Sequence, residues 1–369
     1  MNGKNITKIS FLTIAFLFFS ICTSIANPAD SAKIQKTAEQ EHTGKFNAGE
    51  MIFEHILDAH QWHILSIGHT HIAIPLPIIL IDNGKIVLFS SSKFDDGATY
   101  NGYKLETEGA HKGKIVKTKS DGTVDEEAKL PLDFSITKTV FALLFSALLL
   151  CIIFISVANK YKKNRNKAPK GLQSLMEMAI LFVRDDVAKP SIGEHKYEKF
   201  MPYLMTVFFF IFFNNLLGLI PIPPAGANVT GNIAITMILA VCTFVITTFS
   251  ANKNYWKHII NAPGVPWWLK IPIPLMPIVE LIGVITKPFV LMVRLFANIT
   301  AGHIIILGFI SLIFVFGEMN TGAGIGASVI SIAFSIFMSL LELLVAFIQA
   351  YVFTLLSALY FGMAIEEHH

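Results

Sequence analysis

Apolar residues in this chain gather into long uninterrupted runs, with one water-compatible stretch near the N-terminus. A first, short run, Phe11 to Ala26, follows Lys4 and Lys8 and closes on Ser24-Ile25-Ala26. A basic start, a short apolar core and small closing residues predict a secretory signal peptide over 1–26, cleaved after Ala26, with a retained anchor as the alternative. Residues 27–134 then change character. Helix-like spacing from Gly49 to Ile67 (Ile52, Phe53, Ile56, Leu57) gives way to Ile78-Ile-Leu-Ile81, Asn83-Gly84 and Ile86-Val-Leu-Phe89, a hairpin signal. Gly97, Asn101-Gly102, Lys112-Gly113 and Asp121-Gly122 punctuate further short strands, so this stretch is expected to be a small exported, β-rich region.

From residue 135 onward the runs reach membrane length. The first predicted span, 138–158, is followed by Lys160, Lys162, Lys163, Arg165, Lys167 and Lys170. Basic residues beside a span mark its cytoplasmic end, which agrees with an exported N-terminus. An amphipathic, charged stretch over 171–200 leads to a second span, 202–220, and a turn, Pro221 to Gly231, without Lys or Arg. A third span, 229–250, returns to Lys253, Lys257 and Lys270. Prolines 263, 266, 272, 274 and 277 break any continuation. Two longer apolar segments follow, 278–316 and 327–363, joined by Gly317 to Gly326. As single helices each would run roughly 55 Å at 1.5 Å per residue, against a hydrocarbon core of about 30 Å. The expected solution is one steeply tilted hairpin. The fold class is therefore an all-α membrane protein: three transmembrane helices plus a long two-helix hairpin, preceded by the β-rich region.

Composition sharpens this and removes alternatives. Of 369 residues, 53% are hydrophobic and 15% charged, below the roughly 25% charged of soluble domains. With mean hydropathy of +0.58, a soluble enzyme is excluded. A formal net charge of +3 gives no footprint for nucleic acid. Cys22, Cys151 and Cys242 lie in apolar runs, so neither a disulfide framework nor a zinc site is expected. His55, His60, His63, His69 and His71 are candidates for metal binding or proton buffering. No Cys or carboxylate completes a ligand set, which favours a polar surface. No metal and no cofactor is expected.

Within the hairpin the polar residues are Glu280, Lys287, Arg294, Asn298, His303, Glu318, Glu342 and Gln349. Ionisable groups at membrane depth are costly and mark function by default. Glu280, Lys287 and Arg294 are seven apart, with Asn298 four further on, and Glu342 and Gln349 are also seven apart, so each set shares a helix face. Folding the hairpin about a point near residue 322 puts Arg294 level with Gln349 and His303 level with Glu342. Arginine keeps its charge. It cannot relay a proton, but it attracts a carboxylate and lowers that carboxylate's pKa. Histidine and a buried glutamate do exchange protons near neutral pH. A relay ending at a charge barrier follows, and a buried structural ion pair is the plainer alternative. Glu342 is level with His303 rather than Arg294, so the counter-ion of Arg294 is expected on another subunit.

Leu291-Met-Val-Arg-Leu-Phe-Ala-Asn-Ile-Thr-Ala-Gly-His303, Phe347-Ile-Gln-Ala-Tyr-Val-Phe-Thr-Leu-Leu-Ser-Ala-Leu-Tyr360, Asn215-Leu-Leu-Gly-Leu-Ile-Pro221 and Lys287-Pro288 closely resemble subunit a of the F-type ATP synthases. The likeness covers about 135–369, with short stretches of 50–66. It implies that Arg294 is the essential arginine, facing a rotating c-subunit ring with buried carboxylates. It also implies two offset half-channels lined by Asn298, His303, Glu342 and Gln349, with Glu280 towards the cytoplasmic exit. Some relatives carry Glu where this chain has His303 and His where it has Glu342. The resemblance further implies a multi-pass protein of a bacterial inner membrane, with a periplasmic mature N-terminus and a cytoplasmic C-terminus. Its partners would be the c-ring, the b-subunit peripheral stalk, other synthase subunits and the lipid bilayer. The chain itself would be non-catalytic, since ATP turnover belongs to partner subunits, and it has no Gly-x-x-x-x-Gly-Lys-Ser/Thr loop. The competing function is a self-contained ion-coupled secondary transporter, but the duplicated halves common in such proteins are not visible. The N-terminal extension exceeds what many bacterial relatives carry, and the family supplies no role for it.

Overall fold

A computed structural model describes residues 46–67, 70–106, 111–119, 123–125, 128–163, 168–260 and 275–366. The signal peptide expected over 1–26, the turn at Asp121-Gly122, prolines 263, 266, 272 and 274, and the side chains of His63, His69 and His71 lie outside the described residues. Two compact units emerge. One holds the described residues up to Leu143 with Pro221–Ala227 and Ile304–Ser335; the other holds Leu144–Ile220, Asn228–His303 and residues from Ile336 onward.

The first unit begins with helix α1 (Ala48–Ile56), capped by the Asn47 side chain, which accepts from Gly49 N at 3.1 Å and Glu50 N at 3.3 Å. The helix spacing read over 49–67 stops there, and Gln61–Ile67 is strand β1, paired with β2 (Thr70–Pro75). Strands β3 (Pro77–Asp82) and β4 (Lys85–Ser90) form the hairpin that Asn83-Gly84 announces. Both turn residues have positive φ, 49° and 77°, as a tight two-residue turn requires. The remaining strands are β5 (Tyr103–Leu105), β6 (Ile115–Lys117) and β7 (Leu132–Asp133), in sheets β4-β3-β7 and β5-β6. Period-2 alternation turns Ile78, Leu80 and Phe89 inward onto Phe94, Tyr103 and Ile115.

The reason α1 ends early lies in the start of helix α2 (Lys138–Lys163). Asp58 leaves the helix to accept from Thr139 N at 3.0 Å and Thr137 Oγ1 at 2.7 Å. Lys138, 7% exposed, donates its backbone N–H to Ala59 O at 2.9 Å and its ammonium to His55 O at 3.2 Å. These bonds satisfy the orphan donors of a helix start. Next to them His60 Nε2 lies 2.7 Å from Asp133 Oδ2. Burial pushes the Asp133 carboxyl up, but the bond to His60, its charge and the Ser135 donors outweigh this, so Asp133 titrates below the ordinary carboxylate range. The hydrogen bond from Lys117 does the same for Asp82, more than offsetting burial there. A depressed folded pKa stabilises fully above the unfolded value of about 3.9 and loses that contribution as pH falls through the folded one. Near-ultraviolet thermal melts of the full chain should therefore hold steady from about pH 7 to about pH 5 and fall below about pH 4. Asp133→Asn should flatten part of that fall.

In the second unit, α3 (Leu172–Phe182) passes through a wide turn, Val183–Ala188, into α4 (Lys189–Ile192). Helices α5 (Met201–Gly218) and α6 (Ile233–Ser250) follow, then the short α7 (Lys253–Ile260). Tyr203 Oη lies 2.8 Å from Thr243 Oγ1, which is 3.3 Å from Ser357 Oγ, so three helices share one buried hydroxyl chain.

Helices α8 (Leu275–Met319) and α9 (Thr321–Ile365) are 45 residues each. The linker expected over Gly317–Gly326 shrinks to Asn320, because the glycines continue the helices. A Cβ on Gly324 would lie 2.8 Å from Gly317 Cα. Glycines there let the two backbones close directly on the turn, and Asn320 Oδ1 caps α9 by accepting from Gly322 N at 3.0 Å. Counting α2, α5 and α6 with this pair, five helices among the described residues are long and apolar enough to cross a membrane.

Candidate functional site

Helix α8 carries most of the singled-out polar groups. Glu280 and Lys287 are half-buried, whereas Arg294 and Asn298 are exposed. The shared face read from the seven-residue spacing drifts, since a straight α-helix rotates by about 20° per heptad. Lys287 Nζ sits 5.6 Å from the centre of the Tyr360 ring. Arg294 stands on a face whose other exposed members are Val290, Ala297, Asn298 and Ala301. Among the described residues its guanidinium makes no hydrogen bond and no ion pair. Nothing bonds it to Gln349, the residue placed level with it.

His303 and Glu342 do meet. His303 Nδ1 is hydrogen-bonded to Glu342 Oε1, joining α8 to α9. Glu342 is 5% exposed, and its second oxygen, Oε2, is buried without a hydrogen-bond partner. A carboxylate with one oxygen on an imidazole and the other bare is suited to receive a proton on the bare side. Gln349, 6% exposed, lies two turns further along the same face of α9.

Five residues here escaped the polar-residue reading. Gly302 makes the seat for Glu342: a Cβ at this position would lie 2.8 Å from Oε1 and 3.0 Å from Cδ. Its neighbour His303 was the signal, but a glycine's missing atoms have no signature in polarity. Asn215, on α5, donates to the Ala346 carbonyl at 3.2 Å, one turn from Glu342. Thr230 Oγ1 donates to Asn215 Oδ1 at 2.5 Å, extending the polar line away from α9. Asn214 Oδ1 and Asn228 Nδ2 are buried and without hydrogen-bond partners as well. Two asparagines in the apolar run of α5 were the available signal.

Gly302→Val is expected to push Glu342 off His303. Overpacking of this kind costs about 1–3 kcal/mol, read as a lower thermal midpoint.

Residues 140–362 match the family described as ATP synthase A chain. The chain is 47% identical over 244 residues to ATP synthase subunit a of Chloroherpeton thalassium, covering 64% of this chain and 69% of that one. It is 50% identical over 238 residues to ATP synthase subunit a 2 of Chlorobaculum tepidum, covering 63% and 64%. This chain belongs to the ATP synthase subunit a family. Family membership makes it a multi-pass membrane protein, and it takes in the whole stretch holding Arg294, His303 and Glu342. A third relative, ATP synthase subunit a of Chlorobium phaeobacteroides strain DSM 266, is 39% identical over 335 residues, 80% of this chain and 93% of its own. That share is too large to fit within residues 135–369, so this family member has a counterpart to part of the N-terminal region. Residues 51–134 match a family described only as a domain of unknown function.

Proposed function

We propose that this chain is the static ion-path subunit of a rotary F-type ATP synthase, exchanging protons with the carboxylates of a c-subunit ring. The observation that carries this reading is the exposed Arg294 guanidinium, which makes no hydrogen bond and no ion pair among the described residues. A cation at membrane depth needs a counter-charge, and a rotor that presents one carboxylate after another supplies it. Arg294 lowers the pKa of each arriving carboxylate and makes it give up its proton before passing. A permanently charged guanidinium carries no proton itself, so it separates the two half-channels rather than joining them.

On the exported side, Thr230, Asn215 and the buried Asn214 and Asn228 line the approach to Glu342 and His303, with Gln349 beyond them. Glu342 takes a proton on its bare oxygen while His303 holds the other, and the pair hands it towards the ring near Asn298. Glu280 serves the cytoplasmic exit. In this reading the N-terminal β-rich region is exported and the C-terminus cytoplasmic. The hairpin lies steeply tilted along the rotor, since 45 residues make about 68 Å of helix. A histidine in the path favours H⁺ over Na⁺.

The direct test is purification of the chain from native membranes under mild detergent. A co-purifying ring subunit, peripheral-stalk subunit and catalytic head are expected. Recovery of the chain alone, as a self-contained transporter would behave, defeats the proposal.

A further inference from the structure

Helix α7 takes no part in the path just described, yet its position is tightly constrained. It starts at Lys253, separated from the end of α6 by Ala251 and Asn252, where Ala251 turns extended (φ −67°, ψ 131°). Asn252, inside that break, donates its backbone N–H to Ala364 O at 2.8 Å and its side-chain amide to Ile365 O at 2.9 Å. These donors satisfy carbonyls at the end of α9 that have no partner within the helix. The start of α7 is thus tied to the ends of two membrane-length helices and is held at the depth where they leave the bilayer.

The faces of α7 are ordered in a particular way. At about 100° per residue, Tyr255 and Ile259 fall on one side, Lys253 and Lys257 on the far side, and Trp256 between them. Ile259 is 6% exposed, Trp256 is 39% exposed and both lysines are exposed. The inner face thus packs into the chain, and what α7 turns outward is a tryptophan beside two lysines, the pair of residue types that anchors at a bilayer interface.

We propose that α7 is a membrane-surface anchor: Trp256 docks in the headgroup layer of the cytoplasmic leaflet, and Lys253 and Lys257 bind the phosphates of anionic phospholipids there. Charge complementarity selects the lipid surface over an apolar partner helix, which would leave two ammonium groups unmatched. The leaflet rests on the orientation proposed above; the anchor itself does not depend on the proton path.

The test uses the whole complex in vesicles of phosphatidylcholine, alone or mixed with phosphatidylglycerol. A fluorophore is attached at Trp256→Cys in a background with Cys22, Cys151 and Cys242 changed to serine. Expected is quenching by lipid spin-labelled near the headgroup, stronger with phosphatidylglycerol, and little quenching by aqueous iodide. The double change Lys253→Gln/Lys257→Gln should weaken surface binding about fivefold per lysine. With Trp256 intact, that double variant should also retain less phosphatidylglycerol through purification from native membranes. Quenching by iodide, protection from both quenchers as under a protein subunit, or indifference to lipid charge and to the lysines overturns the proposal. Repeating the measurement on Arg294→Ala separates the two readings. Lipid quenching alongside normal pumping in that variant leaves the anchor standing and removes the proton-path assignment.

Discussion

Arg294→Ala is expected to abolish ATP-driven proton pumping in reconstituted vesicles while the complex still assembles. Assembly should survive because the guanidinium has no hydrogen-bond or ion-pair partner among the described residues, so its removal strands no buried group within the chain. Pumping should not survive, because a cation beside a carboxylate depresses its pKa by about 1–3 units, and without it carboxylates pass the barrier still protonated. The expected loss is therefore at least on the order of tenfold and up to a thousandfold in the fraction of deprotonated sites. Arg294→Lys keeps a charge but loses the planar fork, and a compact ammonium holds a carboxylate less specifically. It should pump measurably but far below the parent. Acidification of the vesicles by the alanine variant at the parental rate would end the assignment.

The second large effect is expected at the His303–Glu342 pair. Glu342→Gln keeps the size and a hydrogen-bonding group but cannot change its charge. His303→Ala leaves both carboxylate oxygens of a side chain that is 5% exposed without a partner. Each should slow passive proton conduction through the membrane sector by on the order of a hundredfold or more, the lower range of effects when an acid–base group is lost. His303→Ala should also lower the thermal midpoint, since an unsatisfied buried acceptor costs about 1–3 kcal/mol. The informative variant is the exchange His303→Glu with Glu342→His. It restores one acid and one base across the same gap beside Gly302 and should recover much of the conduction lost in either single change. Parental conduction in both single variants would show that protons do not pass this pair. Recovery absent from the exchanged variant would show that each position demands its own residue.

Much of this arrangement could be read along the chain. Uncharged runs of membrane length are visible because a charge at that depth is costly, and the described helices α2, α5 and α6 overlay the runs at 138–158, 202–220 and 229–250 closely. The meeting of His303 with Glu342 was legible because an antiparallel pair has a single free parameter, its turn, and the glycines near residue 322 revealed it. The Asn83-Gly84 hairpin was legible for the same local reason. Less was legible where one segment answers another far away. The helix expected over 49–67 ends at Ile56 because Asp58 is drawn off to cap α2, 80 residues downstream.

What the sequence by itself determined is therefore the inventory: which stretches form helices long and apolar enough to cross a membrane, which few residues are charged there, and that His303 meets Glu342 across the hairpin. Only the tertiary structure decided the seat that Gly302 leaves for Glu342, the bond from Asn215 to the Ala346 carbonyl, and the pinning of Asn252 beneath α9. Periodicity records what a helix hides, because burial acts on each residue separately. It does not record against whom, because close packing and hydrogen-bond pairing are properties of two surfaces, and the second surface is set by the fold.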